Sequence, residues 1–326
     1  MPTILITEHM EAAAVSWLQE RTICHYAPEL AENPEQIAAW LPYAVGWIVR
    51  NRTRVSGQLL RQASRLRVVG RLGAGVDNLD CPALAAQAVT TVYAPGANAN
   101  AVAELCLTFM LTQSRQLLAA DRSTRNGAWV RQQFSGRELS GKTVGIVGLG
   151  AVGRRLAELA TAIGCRVLVN TIGPTHGFSK ATLEELLRSS DFISLNVPLT
   201  PATRGMIGAR ELALLRQHAF LINTARGEVL DENALHQALL TGRLAGAALD
   251  VRSKEPPTQP DPFANLDNVI LTPHLAGWTV EAQTAVCQIV VEDVWRVLQG
   301  GRARFPVPGL DFSCPTQTAI TADGLE

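Results

Sequence analysis

The fold is decided by the stretch from Thr143 to Gly153, which reads TVGIVGLGAVG. Its first half predicts a buried strand, and a helical pattern begins at Arg154, directly after the last glycine. A G-x-G-x-x-G pattern between a strand and a helix is typical of a dinucleotide-binding turn. Gly148 permits the tight turn, Gly150 lets the backbone approach a pyrophosphate, and Gly153 allows close packing of the helix on the strand. The N–H groups at the start of that helix then bind phosphate.

Predicted strands alternate with helices on both sides of this stretch. From this stretch onward, the runs that predict strands are 143–147, 166–169, 192–196, 219–223, 246–251 and 269–272. Towards the N-terminus they are 4–6, 45–49, 66–69 and 90–93. Alternation of this kind predicts an α/β fold with mainly parallel sheets that helices cover on both faces.

Helical patterns join these strands. Residues 34–40 form a predicted helix with Asn33 as its N-cap, and another begins after Asp80. The pattern over 98–125, rich in Ala, Leu and Gln, is interpreted as one long helix that connects two bodies. The amphipathic pattern over 280–299 is expected to return the chain to the first block.

The composition excludes several classes of protein. The 29 basic residues balance 29 acidic residues, so net charge gives no reason to expect binding to nucleic acid or to a membrane surface. No apolar run is long enough for a transmembrane helix, and the short run after Met1 does not predict a signal peptide. The six cysteines form no C-x-x-C pair, so no metal site is expected. We expect reduced cysteines in a cytoplasmic protein.

The predicted strand 166–169 bears on the choice between NAD and NADP. An Asp or Glu is expected about 20 residues beyond the glycines, where it binds the ribose hydroxyl of NAD, but the chain has Thr171. Loss of that carboxylate removes the repulsion of a 2′-phosphate. However, residues 170–179 offer only His176 as a basic side chain, and Lys180 lies just outside. NAD is therefore favoured, and NADP stays open, because NADP sites usually need a nearby cation.

Three polar residues follow three different predicted strands. They are Arg226, Glu255 and His274. The carboxyl ends of parallel strands meet at one edge of a sheet, and α/β active sites form there. The three side chains together predict an active site. Each one alone is equally consistent with an exposed Arg, a solvated Glu or a structural His.

Further motifs resemble those of the D-isomer-specific 2-hydroxyacid dehydrogenases over about residues 40–300. The matching stretches are 141–150, 196–200, 223–227 and 272–277. The resemblance implies that Arg226, Glu255 and His274 are the catalytic residues. With the fingerprint glycines and Thr171, the expected cofactor contacts are Gly148, Gly150, Ala151, Val152, Gly153, Thr171, Pro198, Thr224, Ala225, Arg226, Asp250, His274 and Gly277.

The resemblance implies an α/β protein of two domains. One is a Rossmann-type doubly wound parallel sheet at 97–280, which binds NAD. The other is a smaller flavodoxin-like α/β substrate-binding domain at 1–96, completed by 281–310, with an extended tail at 311–326. The segment 125–129 resembles the arm through which these enzymes form homodimers.

The reaction implied is hydride transfer between NAD(H) and C2 of a 2-hydroxy or 2-keto acid. His274 would exchange the proton of the C2 oxygen, because a histidine titrates near neutrality. Glu255, hydrogen-bonded to it, would fix its tautomer and favour its protonated form. Arg226 would hold the carboxylate with its planar fork of donors.

The chain departs from the family pattern at three places. Thr171 replaces the usual Asp, and the short spacing to Thr182 predicts a shortened helix. Arg252 stands where an apolar aromatic residue is common, and we expect it not to touch the catalytic residues. The chain also ends before the regulatory domain that some phosphoglycerate dehydrogenases carry, so feedback through such a domain is not expected.

A basic cluster favours a substrate with a second anionic group. Arg50, Arg52 and Arg54 share one side if 50–54 is extended. Arg71 directly precedes a stretch that resembles the carboxylate cradle of the family. In phosphoglycerate dehydrogenases the matching basic residues surround the distal phosphate. The expected substrate contacts are Arg50, Arg54, Arg71, Gly73, Ala74 and Gly75.

The substrate candidates are therefore 3-phosphoglycerate, 3-sulfolactate or a hydroxy-diacid, and a solvated basic face is the alternative interpretation. Two other functions stay open. One is a glyoxylate or hydroxypyruvate reductase of broad specificity, and the other is an NAD-sensing corepressor that binds other proteins. Turnover of a 2-keto acid distinguishes an enzyme from the corepressor.

Overall fold

The computed structural model describes residues 3–257 and 259–313. This described chain divides into two compact units, a first unit of residues 3–98 with 279–313 and a second unit of residues 99–278. The functional assignment of a substrate-binding and an NAD-binding domain stays a prediction. Of the predicted tail, residues 314–326 lie outside the described residues.

The secondary structure alternates as the sequence predicts. The strands are β1 (Thr3–Ile6), β2 (Ile23–Tyr26), β3 (Ala44–Val49), β4 (Val68–Arg71), β5 (Thr90–Tyr93), β6 (Thr143–Val147), β7 (Arg166–Asn170), β8 (Ser179–Lys180), β9 (Phe192–Leu195), β10 (Phe220–Asn223), β11 (Gly246–Leu249) and β12 (Val269–Leu271). The α-helices are α1 (Ala12–Gln19), α2 (Pro34–Trp40), α3 (Gly57–Leu60), α4 (Cys81–Ala86), α5 (Ala99–Ser114), α6 (Leu117–Arg125), α7 (Ala151–Ala162), α8 (Leu183–Ser189), α9 (Ala209–Leu212), α10 (Glu232–Leu240) and α11 (Val280–Leu298). Short 3₁₀ helices occupy Pro28–Leu30, Leu41–Tyr43, Arg131–Phe134 and Gly227–Val229.

The first unit is built on a parallel sheet of strand order β2-β1-β3-β4-β5. This is the order of flavodoxin-like sheets. Leu5 packs into the core on one face, and its neighbours Ile4 and Ile6 pack into the core on the other. Helix α11 lies close to the sheet at Gly70, where a Cβ would come within 2.7 Å of Val294.

The second unit is built on a parallel sheet of strand order β12-β11-β10-β9-β6-β7-β8. Renumbered from β6, this order is 7-6-5-4-1-2-3, the doubly wound order of dinucleotide-binding folds. Val144 of β6 pairs with Phe192 of β9 on one side and with Val167 of β7 on the other. The strand order therefore reverses at β6, and ligands bind at such a switch point. The predicted α/β fold with two parallel sheets is confirmed.

Local sequence signals place the starts of α2 and α4 correctly, whereas α7 begins at Ala151, three residues before the predicted start at Arg154, because Gly153 lies inside its first turn. The side chain of Asn33 accepts a hydrogen bond from the N–H of Gln36, and that of Asp80 accepts one from Ala83. Thr279 caps the start of α11 in the same way. These caps satisfy N–H groups that have no partner inside the helix.

The prediction of one helix over 98–125 is wrong. Helix α5 ends at Ser114, and α6 begins at Leu117. Between them Gln116 has φ +50°, a left-handed conformation that interrupts the helix. The carbonyl of Ser114 accepts instead from the N–H of Arg137, which satisfies a group left open at the helix end.

Strands β2 and β8 were not predicted from the sequence. Strand β2 is an edge strand with a half-exposed Ile23, and β8 has only two residues, Ser179 and Lys180. Neither carries a clear alternation of apolar and polar residues, because neither is buried on one face only.

Candidate active site

The carboxyl edge of the second sheet carries the predicted site residues. Strands β6, β10, β11 and β12 are parallel, so the loops that follow them leave the sheet at the same edge. The residues on these loops and on the loop after β9 are Gly148, Gly150, Pro198, Thr224, Ala225, Arg226, Asp250, Glu255, His274 and Gly277, with Ala151, Val152 and Gly153 in the first turn of α7. Their contact with a cofactor stays a prediction.

The glycines of the turn after β6 serve different purposes. Gly148 has φ +92°, and a Cβ there would lie 2.6 Å from the carbonyl oxygen of Asn196. A Cβ at Gly153 would lie 2.1 Å from the carbonyl oxygen of Gly148, so α7 packs directly on the turn. At Gly150 no described atom beyond the glycine and its two chain neighbours lies within 4 Å of such a Cβ, and φ is −73°, which any residue adopts. The space above Gly150 therefore fits a ligand that approaches the backbone, as the pyrophosphate of a dinucleotide does.

The loop after β7 lacks the helix that the sequence already predicts to be shortened. Among the described residues 171–182 no helix forms, and the chain runs directly into β8. The Thr171 hydroxyl accepts a hydrogen bond of 3.1 Å from the N–H of Gly173. Ile172, His176 and Lys180 are exposed.

A buried asparagine shapes the loop that carries Arg226. Asn223 is fully buried, accepts from the N–H of Ala225 at 3.1 Å and donates to the carbonyl of Arg226 at 2.9 Å. A Cβ at Gly227 would lie 1.9 Å from the carbonyl carbon of Arg252. The Arg226 loop therefore packs directly against the loop that carries Glu255.

Thr224, a predicted cofactor contact, contacts Cys106 of α5. Its hydroxyl lies 3.3 Å from Sγ of Cys106, and Sγ also accepts from the hydroxyl of Ser194 at 3.8 Å. Burial raises the pKa of the Cys106 thiol to about 11, so the group is a neutral thiol at neutral pH. The cluster orients Thr224 and carries no charge.

Glu255 and His274 form a hydrogen-bonded pair. Nδ1 of His274 lies 2.6 Å from Oε2 of Glu255, while Oε1 accepts from the N–H of Arg252 at 3.0 Å. His274 has φ +54°, an uncommon conformation that the surrounding loop imposes. The imidazole is 40 % exposed, so it is accessible to a substrate.

The carboxylate of Glu255 is held in its ionised form. Burial opposes ionisation, but the hydrogen bonds from His274 and from the N–H of Arg252 outweigh it, with help from the charges of His274 and Arg226. The pKa of Glu255 is consequently below its ordinary value. Its ionised carboxylate accepts the Nδ1 proton of His274, which leaves Nε2 for the substrate.

Asp250 positions the His274 loop, a role that the sequence did not reveal. The Asp250 side chain is buried, and its two oxygens accept from the Thr272 hydroxyl at 2.6 Å and from the N–H groups of Leu275 and Ala276 at 2.9 Å. Its carbonyl accepts from the N–H of His274 at 2.8 Å. The family resemblance implied a cofactor contact for Asp250 instead, and that contact stays a prediction.

The expectation that Arg252 does not touch the catalytic residues is wrong. Its N–H donates to Glu255, and its guanidinium is buried and donates to Glu232 and Asp261. Glu232 lies 20 residues before Arg252, and Asp261 lies nine residues after it. No pattern in the sequence therefore indicated them.

In the first unit, the loop after β3 wraps around the buried carboxylate of Glu8. This carboxylate accepts from the N–H groups of Arg50, Arg52 and Thr53 at 2.7, 3.1 and 2.8 Å. The loop is therefore bent, and the expectation that the arginines of an extended 50–54 share one side is wrong. Arg50 is buried, Arg52 pairs with Glu32 at 2.8 Å, and Arg54 is exposed.

Arg50 and Arg71 are the two buried arginines of this region. They lie at the carboxyl ends of neighbouring strands, because Val49 pairs with Arg71 in the register of β3 and β4. Arg50 donates to Gln283 and to the carbonyl of His9, and Arg71 donates to the carbonyl of Leu72. Burial lowers the pKa of Arg50.

The predicted carboxylate cradle follows Arg71 directly. Gly73 has φ +135°, and a Cβ there would lie 1.9 Å from Nη1 of Arg71. The guanidinium therefore lies against the backbone of the cradle. Ala74 is exposed and Gly75 is half-buried.

No group of three or more His, Cys, Asp or Glu side chains in residues 3–257 and 259–313 is arranged to hold a metal ion. Within the same residues, no helix is both long and apolar enough to cross a membrane.

Comparison with known proteins adds relatives of two kinds. The chain is 39% identical over 311 residues to D-3-phosphoglycerate dehydrogenase of Methanocaldococcus jannaschii, covering 92% of this chain and 58% of the relative. It therefore spans little more than half the length of that relative. It is 35% identical over 298 residues to hydroxypyruvate reductase of Thermotoga maritima, covering 90% of this chain and 97% of the relative.

Solved structures show the same fold. A glyoxylate/hydroxypyruvate reductase from Sinorhizobium meliloti, described as NADPH-dependent and solved with NADP and malonate, superimposes with a TM-score of 0.87 and 30% identity. The match covers 98% of this chain and 99% of that one. A protein of Thermus thermophilus superimposes with a TM-score of 0.88 and 30% identity, covering 94% of this chain and 99% of that one.

Residues 107–276 match the model of the family described as D-isomer specific 2-hydroxyacid dehydrogenase, NAD binding domain. The match contains the fingerprint glycines and the Arg226, Glu255 and His274 loops. It agrees with the fit of the turn after β6 to a dinucleotide, because the family description names this part of the chain an NAD binding domain. The resemblance drawn from the sequence motifs is confirmed: this chain belongs to the D-isomer specific 2-hydroxyacid dehydrogenase family.

Proposed function

We propose that the protein is an NAD(P)-dependent oxidoreductase that interconverts a 2-hydroxy acid and the corresponding 2-keto acid. The observation that carries the proposal is the His274–Glu255 pair, with 2.6 Å between Nδ1 and Oε2, at the carboxyl edge of a doubly wound sheet. Membership of the family supports the same reaction class.

His274 acts as the general acid and base at the C2 oxygen. With Nδ1 bonded to Glu255, Nε2 is the nitrogen that donates a proton to the oxygen of the 2-keto acid and accepts it back from the 2-hydroxy acid. Glu255 fixes the ring orientation and stabilises the protonated ring, because its carboxylate is ionised at neutral pH.

Arg226 binds the substrate carboxylate and polarises the carbonyl. Its backbone is fixed by the buried Asn223 and by the close approach of Gly227 to Arg252. Its planar guanidinium suits a carboxylate, which it can bind with two parallel hydrogen bonds.

The cofactor is held by the turn after β6 and by the loops beside it. The N–H groups at the start of α7 would bind the pyrophosphate, and the open space above Gly150 would admit it. When bound, the nicotinamide supplies or accepts the hydride at C2 of the acid. Thr224 and Asp250 keep the neighbouring loops in place for that transfer.

We propose NAD rather than NADP as the preferred form. Thr171 offers no carboxylate to repel a 2′-phosphate, but its hydroxyl already accepts from the N–H of Gly173. Lys180 and His176 are the basic side chains of this segment, and both are exposed. Exposed side chains of this kind are not fixed in the way that a phosphate-binding cation is expected to be.

We further propose a substrate with a second anionic group. The buried guanidinium groups of Arg50 and Arg71 end two neighbouring strands, and Arg71 lies against the cradle at Gly73. Planar guanidinium groups at the ends of neighbouring strands suit the binding of a second anionic group, such as a phosphate, sulfonate or carboxylate. Similarity to the D-3-phosphoglycerate dehydrogenase of Methanocaldococcus jannaschii supports 3-phosphoglycerate as the substrate. The other candidates are 3-sulfolactate and a hydroxy-diacid.

A second candidate is reduction of glyoxylate or hydroxypyruvate. It is favoured by the Thermotoga maritima relative, whose length this chain nearly covers, and by the Sinorhizobium meliloti structure. The experiment that decides is a panel of 2-keto and 2-hydroxy acids assayed with NAD(H) and NADP(H). Turnover with a dianionic acid supports the main proposal, preference for glyoxylate supports the second, and no turnover contradicts both.

We propose that the protein forms a homodimer through α6 and the segment after it. Helix α6, which the structure describes in full, buries none of its residues, and Leu117, Leu118 and Trp129 are 57%, 50% and 89% exposed. Exposed large apolar side chains in one segment mark an interface. Light scattering of the wild type should give twice the monomer mass, and Trp129→Ser should lower it.

We propose a cytoplasmic location. Among the described residues, the five cysteines Cys24, Cys81, Cys106, Cys165 and Cys287 are free thiols. Free thiols are typical of a reducing compartment. Fractionation of cells followed by detection of the protein tests this location.

A further inference from the structure

The loop after β11 is anchored by a buried cluster of three charged side chains. The guanidinium of Arg252 donates through Nε and Nη2 to Oε2 of Glu232, at 3.1 and 2.9 Å, and through Nη1 to Oδ2 of Asp261 at 2.5 Å. The exposed fractions of the three side chains are 8%, 16% and 10%. We call this cluster the Arg252 clamp.

Each partner of Arg252 is itself fixed. Glu232 is the first residue of α10, whose N-cap Asp231 accepts from two N–H groups of the helix. Asp261 accepts from the N–H of Phe263 at 3.0 Å, and the ring of the buried Phe263 lies 4.9 Å below the guanidinium. The clamp therefore joins a capped helix, a packed aromatic ring and the β11 loop.

The clamp reaches the candidate catalytic pair through the backbone. The N–H of Arg252 donates to Oε1 of Glu255 at 3.0 Å, and Oε2 of the same carboxylate lies 2.6 Å from Nδ1 of His274. The next residue, Ser253, donates its N–H to Oε1 of Glu232 at 2.5 Å. The N–H of Arg252 is thus fixed towards Glu255, and the N–H of Ser253 is fixed towards Glu232.

We propose that Arg252 is a positioning residue that, through the Arg252 clamp, holds Glu255 in hydrogen-bonding geometry with His274. The inference rests on the proposed acid–base role of His274. It assigns the buried charges a purpose beyond stability, because a buried ion cluster is costly to form and is weak evidence for stability by itself. Small displacements of a positioned group cost up to about 10²-fold in rate.

Two variants test the proposal without leaving a buried charge uncompensated. Arg252→Lys keeps a cation between the two carboxylates but removes the planar fork of donors. The triple variant Glu232→Gln, Arg252→Met, Asp261→Asn removes all three charges, so it lacks the clamp but no carboxylate remains buried without a partner.

The matched control is Asp191→Asn, at the opposite edge of the same sheet. Asp191 precedes β9, its side chain is 14% exposed, and it accepts from the N–H of Thr143 at 2.8 Å and from His218 at 2.9 Å. Its side chain is about as buried as that of Glu232, and it lies outside the candidate site. Its loss reports the effect of lower stability alone.

The readouts are kcat, the pH–rate profile of keto-acid reduction, and the Nδ1–H signal of His274 in ¹⁵N NMR spectra of the cofactor-free protein. We expect both clamp variants to bind NADH as the wild type does and to lose kcat by up to about 100-fold, with less loss for Arg252→Lys. Their profiles should move towards that of Glu255→Gln, and the hydrogen-bonded Nδ1–H signal should weaken. Asp191→Asn should lower the thermal midpoint and leave the profile and the signal unchanged.

Clamp variants that behave like Asp191→Asn in all three readouts overturn the inference. Failure of the proposed function is distinguishable, because the wild type then shows no turnover of any keto acid. In that case the NMR signal still decides whether the clamp holds Glu255 against His274. A signal unchanged in the triple variant overturns the positioning role, and a signal lost there supports it.

Discussion

Nδ1 of His274 lies 2.6 Å from Oε2 of Glu255, and the two residues come from loops after different strands. The relationship exists because β11 and β12 are parallel neighbours that end at one edge of the sheet. The remaining oxygen of Glu255 is held by the N–H of Arg252 at 3.0 Å. A carboxylate fixed in this way leaves one defined nitrogen of the imidazole for proton exchange with a substrate.

Glu255→Gln should change the pH dependence of turnover. Removal of the carboxylate destabilises the protonated imidazole, so the rate of keto-acid reduction should fall at lower pH than in the wild type. The measurement is kcat/KM for reduction across the neutral range. An unchanged profile would contradict the claim that Glu255 acts on proton exchange by His274. Glu184→Gln, which alters an exposed carboxylate of α8 that pairs with Arg188 at 3.1 Å, is the control.

The same substitution should have a pH-dependent effect on stability. The pKa of Glu255 in the folded protein lies below the ordinary value of 4.5, so its ionised form stabilises the fold above that pH. This contribution is lost as the pH falls through the lowered pKa. Urea unfolding should therefore show Glu255→Gln less stable than the wild type at pH 7, with a difference that shrinks below about pH 4.5. A constant difference would mean that the carboxylate is not held in its ionised form.

Gly150 and Gly153 should respond differently to replacement by alanine. Gly153→Ala places a Cβ 2.1 Å from a backbone oxygen, so it should lower the free energy of unfolding by about 1–3 kcal/mol. Gly150→Ala meets no described atom within 4 Å beyond its two chain neighbours and should leave stability unchanged. It should weaken NADH binding about tenfold or more, which is about 1.4 kcal/mol. Equal NADH affinity in Gly150→Ala and the wild type would contradict the pyrophosphate position.

Thr171→Asp should strengthen the preference for NAD. The new carboxylate can bond the ribose hydroxyls and repels a 2′-phosphate, so the ratio of kcat/KM for NAD over NADP should rise about tenfold or more. Thr175→Asp, four residues further along the same loop, controls for added charge. A wild-type preference for NADP of about tenfold would overturn the NAD proposal and direct attention to Lys180.

Arg71→Met should separate substrates with one and two anionic groups. The substitution keeps most of the apolar stem and removes a charged hydrogen-bond donor, which contributes about 1.5–3 kcal/mol. We expect a loss of about 10- to 150-fold in kcat/KM for a dianionic acid and little change for glyoxylate. Arg65→Met, at an exposed arginine of the same unit, is the control. Equal losses with both substrates would contradict the proposal that Arg71 binds a second anionic group of the substrate.

The strand ends and the glycine turn could be predicted from the sequence because their signals are local. A strand followed by Gly148 and a helix is contiguous, and Arg226, Glu255 and His274 each come shortly after a run of apolar residues. Parallel pairing then brings the three loops to one edge without further information.

The contacts that hold those residues in place could not be predicted, because they join distant positions. Glu8 fixes the loop of Arg50, 42 residues away, and Glu232 fixes Arg252, 20 residues away. The helix break at Gln116 also lacks a local signal, since no Gly or Pro stands there and a tertiary contact of Ser114 with Arg137 replaces the helical one.

The central claim is that His274 exchanges the proton at C2 of a 2-keto acid. Asparagine tolerates the left-handed backbone of this position, so His274→Asn removes the imidazole with little strain. The direct test compares the wild type and His274→Asn in NADH oxidation with the best keto acid of the panel, alongside the dissociation constant of NADH. We predict a loss of about 10²–10⁴-fold in kcat, while NADH still binds. Turnover at the wild-type rate in His274→Asn would contradict the account.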